Sequence, residues 1–166
     1  MTPSELLIAL RGVGLMTDID PASFVALAQE RQQSFDGSLD DPFLVMSVLD
    51  DVYGFEAPDE QAATRRCVTD RVLVFNEFHE TPGAIFCRRL RVFTEALGVD
   101  VIPASPHADD PDLPYDTPEE LVEALDAALA DTGLRPFLVG EDVYAAILVR
   151  ESLAPGVLPA EDPSPR

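Results

Sequence analysis

A chain of 166 residues, 46% of them hydrophobic, is one ordinary domain's worth of polypeptide and buries enough apolar surface to fold without disulfides or structural metals. Its 31 acidic residues against 11 basic ones give a formal net charge of -20, which argues against nucleic-acid binding, because that draws its affinity from basic contacts to phosphate. The longest apolar runs, such as residues 143–149, fall far short of the roughly 20 residues needed to cross a bilayer, and the N-terminus lacks the basic start of a signal peptide. The expected setting is therefore a soluble protein in a reducing cytoplasm, where Cys67 and Cys87, without paired spacing, read as small buried apolar residues rather than a bridge.

Helix starts are marked by a capping residue followed by proline at the first helical position, where the missing N–H costs nothing. Thr2-Pro3, Asp20-Pro21, Asp41-Pro42, Thr81-Pro82 and Thr117-Pro118 all have this form. Thr2 with Glu5 and Thr117 with Glu120 also have capping-box spacing. Apolar periodicity supports the first three: Leu6, Leu7 and Leu10; then Phe24, Val25, Leu27 and Ala28; then Phe43, Leu44, Met46, Val48 and Leu49, the last stripe apolar nearly all round and so buried. Residues 59–66 suggest a further short helical turn, which makes residues 1–66 wholly helical.

The pattern then shifts to short apolar bursts rich in β-branched residues. Residues 71–75 read as a strand and residues 99–102 as a second. Between them a helix over residues 82–97 turns Ile85, Phe86, Leu90, Phe93 and Leu97 inward and Arg88, Arg89 and Arg91 mainly outward, and Gly98 stops it. Strand, helix and strand in that order predict a βαβ crossover with parallel strands. A helix over residues 118–130 follows, and then residues 136–139 and 143–149 as an antiparallel hairpin about Gly140-Glu141-Asp142. The expected fold is α+β or small α/β: a single domain over residues 1–153, with a helical part (1–66) packed beside a four-stranded mixed sheet (67–153), in the order ααα then βαβαββ. The proline-rich residues 154–166 read as a disordered tail.

Charge singles out one stretch. Residues 92–134 contain no lysine or arginine, while Glu95, Asp100, Asp109, Asp110, Asp112, Asp116, Glu119, Glu120, Glu123, Asp126 and Asp131 accumulate; a one-sign face of that length steers a basic partner or a cation. All eleven basic residues are arginine, so genome composition or a high-salt cytoplasm also accounts for acidity with no partner involved. Chemistry is sparser. Glu77, His79 and Glu80 end the first strand, and His107, Asp109 and Asp110 follow the second. Ligands of open α/β sheets bind outside the carboxyl ends of strands, and Glu141 and Asp142 join this edge if their strand runs the same way. Glu77, His79 and His107 are thus the candidate catalytic residues, with Tyr115 as a polar handle, and His79, His107 and Asp109 the candidate ligands of Zn, Mn or Fe. They match no ligand run of fixed mechanical meaning, and exposed loop histidines are the plainer reading. No nucleophile elbow or phosphate loop occurs; Gly12-Val13-Gly14 precedes any strand, and Asp109-Asp110-Pro111-Asp112 lacks the register and glycine of an EF-hand. Arg65, Arg66, Arg88, Arg89 and Arg91 suit an anion, although internal charge compensation is the commoner role of helix arginines.

No cofactor is implied. The sequence favours a non-enzymatic acidic interaction protein, such as an inhibitor, an immunity-type protein or an adaptor. It would present Asp109, Asp110, Asp112, Asp116, Glu119, Glu120 and Glu123 to a basic surface. A small metal-assisted enzyme built on the histidines and carboxylates is the alternative.

Overall fold

The computed structural model describes residues 1–55, 57–76, 83–101, 115, 117–141, 144–153 and 160–161. Four of the cap-and-proline signals open helices there: α1 (Pro3–Gly12), α2 (Pro21–Phe35), α3 (Pro42–Tyr53) and, after the two helices named next, α6 (Pro118–Ala128). Thr2, Asp20, Asp41 and Thr117 each accept a backbone N–H from the first turn, and Thr2 with Glu5 closes a full capping box. The fifth signal, Thr81-Pro82, lies outside the described residues; α5 runs Gly83–Leu97. Residues 59–66 grow into a complete helix, α4 (Glu60–Asp70), capped by Asp59, whose side chain accepts the Ala62 N–H. Its buried positions, Ala63, Cys67 and Asp70, form a narrow stripe that ends on a carboxylate, so apolar periodicity underreports its length.

The fold is α+β, with an antiparallel sheet in place of the expected mixed one. Three strands, β1 (Val72–Asn76), β2 (Arg135–Glu141) and β3 (Tyr144–Arg150), lie in the order β1-β3-β2, and a two-residue strand β4 (Ala160–Glu161) pairs along the far edge of β2. Every pairing is antiparallel: Val74 faces Ala146, Val139 faces Ala146 from the other side, and Val139 also faces Ala160. The hairpin of β2 and β3 forms as the sequence suggests, with Gly140 at φ 79° and its Cα so near the Tyr144 carbonyl that a Cβ would sit 2.5 Å from that oxygen. Among the described residues the βαβ crossover does not form, because residues 99–101 leave α5 without entering the sheet. Val101 is instead buried in the core that α5 and α6 share with the sheet, and Val99 packs against the same core. A β-branched burst suits a buried connection as well as a strand, and composition alone does not separate the two. Of the residues read as a tail, Ala160 and Glu161 form β4; the rest lie outside the described residues.

Helices cover both faces of the sheet, and the alternation of the strands assigns side chains to two cores. Val72, Val74, Val139, Ala146 and Leu148 face α1, α2 and α3 in one cluster. Leu73, Phe75, Leu138, Ala145, Ile147 and Val149 face Phe86, Leu90 and Phe93 of α5 and Leu121, Leu125 and Leu129 at α6 in the other. The central strand β3 is buried over five consecutive residues, the near-continuous apolar run expected where both faces are covered. Between α3 and α4 lies a closed polar network: the buried Tyr53 hydroxyl donates to Asp70 Oδ2 at 2.5 Å and accepts the Met16 N–H at 2.7 Å, while the Thr17 hydroxyl donates to Asp70 Oδ1. Met16, at φ 57°, is held in a left-handed conformation that costs a bulky residue energy, and the Tyr53 contact helps to offset that cost.

Candidate functional site

The residues expected to carry chemistry divide sharply. Glu77, His79, His107, Asp109, Asp110, Asp112, Asp116 and Asp142 fall outside the described residues. What is described is the edge itself. β1 and β2 both run antiparallel to β3, so they point the same way, and Asn76 and Glu141 both pair with Tyr144 at one end of the sheet. The neighbouring strand that was to bring His107 to this edge is absent at residues 99–101. Tyr115 is no free polar handle: its hydroxyl donates to the Val101 carbonyl, and burial pushes its phenol pKa up. Among the described residues, no group of three His, Cys, Asp or Glu side chains is placed to hold a metal ion.

Glu119, Glu120 and Glu123 are described, and helix geometry explains their placement. α6 buries Leu121 and Leu125, so positions 119, 120 and 123 turn away from the sheet, and all three are exposed. Glu119 and Glu120 also occupy the first turn, where negative charge meets the positive end of the helix dipole. One turn further, Asp126 lies 3.6 Å from Arg135 of β2, so that part of the segment is compensated from outside it.

A second arrangement, of opposite sign, lies between α4 and α5. Six of the eleven arginines fall between Arg65 and Arg91, and the packing of α4 on α5 gathers three of them in an open groove of about 480 Å³. Glu60, Thr64 and Arg65 line it from α4 and Arg88, Arg89 and Val92 from α5. The spacings i, i+4, i+5 and i, i+1, i+4 place each set on one helix face. Arg65 and Arg88 are exposed, and neither makes an ion pair among the described residues.

Arg89 overturns the outward reading of the arginines of α5, since it is only 3% exposed. Its Nη1 donates to the Tyr53 carbonyl at 2.6 Å, at the C-terminal end of α3, and its guanidinium lies 4.3 Å from the centre of the Phe55 ring. A helix C-terminus and an aromatic face both favour a cation. Its Nε and Nη2 are buried and have no hydrogen-bond partner. Burial pulls the guanidinium below its ordinary pKa, and Cys67, Glu60 and Asp50 act in the opposite direction. The signal was present in the sequence: Arg89 stands three residues after Phe86 and four before Phe93, in line with the apolar face.

No family model, curated protein or solved structure matches this chain. The described geometry therefore offers two surfaces of opposite charge, an acidic helix face and an arginine-lined groove, and chemistry at each has to be argued from the side chains alone.

Proposed function

We propose that the protein is a non-enzymatic acidic interaction protein of the cytoplasm, an inhibitor, immunity-type protein or adaptor that presents the outer face of α6 to a basic protein surface. The observation that carries this reading is the division of α6: leucines pack into the core beneath the sheet while Glu119, Glu120 and Glu123 stand exposed, in a stretch of 43 residues, 92–134, without one lysine or arginine. Such a surface raises the rate of encounter with a basic partner more than it deepens affinity, and salt screens it.

The test is affinity capture from the source cells with the full chain as bait, at low and at high salt, beside the triple variant E119Q/E120Q/E123Q. The expected result is a basic protein recovered at low salt, reduced by the triple variant and lost as ionic strength rises. Recovery that ignores both salt and the three substitutions overturns the proposal.

A further inference from the structure

We infer that the groove between α4 and α5 binds a phosphoryl dianion, with Arg65, Arg88 and Arg89 supplying the donors. The inference stands apart from the acidic face, on three independent observations. The first is convergence: two exposed arginines and one buried arginine line one concavity. The second is the state of Arg89. It is 97% buried by the complement of its 3% exposure, its planar fork is held in place by the Tyr53 carbonyl and the Phe55 ring, and two of its buried nitrogens have no partner. Buried donors without acceptors are costly, and a fixed guanidinium whose Nε and Nη2 lie unpartnered beneath the groove wall has the pair of N–H groups that grips two oxygens of one ligand.

The third observation is charge. Three guanidinium groups on the groove wall against the single carboxylate of Glu60 leave an excess of two positive charges, or of one when the buried Asp50, which also acts on Arg89, is counted. A doubly charged phosphoryl group matches the excess of the wall itself, and its several oxygens can serve three guanidinium groups where the two of a carboxylate cannot. Thr64 adds a hydroxyl oxygen, whose own proton is committed to the Glu60 carbonyl, so it shapes the wall without donating. In a chain of net charge -20 the overall field repels anions, so saturable anion binding has to come from a local site. Free phosphate and a phosphate monoester share this chemistry.

The experiment follows the arginine side-chain Nε–H resonances of the full chain while inorganic phosphate, glycerol 2-phosphate, acetate or chloride is added at constant ionic strength. The expected result is saturable binding of at least one phosphoryl ligand with Kd about 1 mM or tighter, and none of acetate or chloride. Tighter binding of the monoester assigns an esterified ligand, and tighter or equal binding of inorganic phosphate assigns the free anion. Arg65→Ala and Arg88→Ala each weaken binding about tenfold, the worth of one charge-assisted hydrogen bond. Arg89→Met, which keeps the packed stem, abolishes it. Arg91→Ala removes the same charge from α5 outside the groove and leaves binding unchanged. Absence of saturation up to about 20 mM of either phosphoryl ligand, equal binding of acetate, or equal loss in Arg91→Ala and Arg88→Ala overturns the inference. The folded state of each variant is checked by its melting temperature.

Discussion

Tyr53 stands between two buried polar groups that are served very differently. On its hydroxyl side, Asp70 accepts from Tyr53 and Thr17 while the same hydroxyl accepts from Met16, so the side chains of this network are in use. On its carbonyl side, Arg89 spends one donor on Tyr53 and leaves Nε and Nη2 unmade. The first arrangement links the loop after α1 to α3 and α4 and is a device of folding. The second lies at the wall of a groove and is only half committed to the fold. Burial alone therefore does not separate the two groups; what sets Arg89 apart is that its leftover donors lie at the wall of a groove.

That contrast is broken or sharpened by substitution. Asp70→Ala leaves the buried Tyr53 hydroxyl without its acceptor and frees that of the exposed Thr17, and the expected loss is about 3 kcal/mol, read as a fall of roughly 10 °C in Tm. Tyr53→Phe follows at about 2 kcal/mol, because it orphans the Met16 N–H and one oxygen of Asp70. A double-mutant cycle between the two returns a coupling of about 1 kcal/mol or more, since they belong to one network. Arg89→Met lies at the other extreme: replacing a half-satisfied buried cation by an apolar side chain of similar length is close to neutral, so the expected change is below about 1 kcal/mol. Equal losses from Asp70→Ala and Arg89→Met, in urea titrations with unchanged slopes, would erase the distinction.

Alkaline pH tests the hydroxyl side by another route. Burial pushes the Cys67 thiol up to about 12 from an ordinary 9.0, and burial, with the Asp70 hydrogen bond, raises the Tyr53 phenol as well. The unfolded chain releases these protons earlier than the folded one. Their contribution is therefore complete below pH 9 and is lost as pH climbs toward 12. Tm is expected to fall over that window, and Cys67→Ala to flatten the fall. Both cysteines are buried, so thiol reagents are expected to label neither until the chain unfolds. The smallest effect belongs to E119Q/E120Q/E123Q: exposed carboxylates contribute a few tenths of a kcal/mol through the dipole of α6, so a stable triple variant that loses partner capture separates recognition from folding.

Local signals in the chain were the readable ones. Cap-and-proline pairs placed α1, α2, α3 and α6, and two adjacent apolar runs placed the β2–β3 hairpin, although Gly140 and Glu141, read as its turn, pair within the strands, because each depends on residues a few positions apart. The partnership of β1 with β3 depends on Val72 meeting Leu148, and no local pattern encodes a contact across so many residues. Residues 99–101 misled for a related reason, since Val99 and Val101 satisfy strand composition and helix-layer packing equally well. α4 was underread because its inward stripe closes on Asp70, and Arg89 because a charged side chain in an apolar register is ordinarily assigned to the surface. Of the candidate site residues, Glu119, Glu120 and Glu123 were legible as an outer helix face, whereas the groove needed the packing of α4 on α5 to exist at all.

The most direct measurement of the central claim is the Nε–H resonance of Arg89 in a nitrogen–proton spectrum of the full chain, recorded with and without phosphate. The account predicts a large shift and slower solvent exchange at Arg89, smaller shifts at Arg65 and Arg88, and none at Arg150, whose Nε already donates to the Val13 carbonyl at 2.9 Å. An Arg89 signal that does not move while distant arginines do would contradict it.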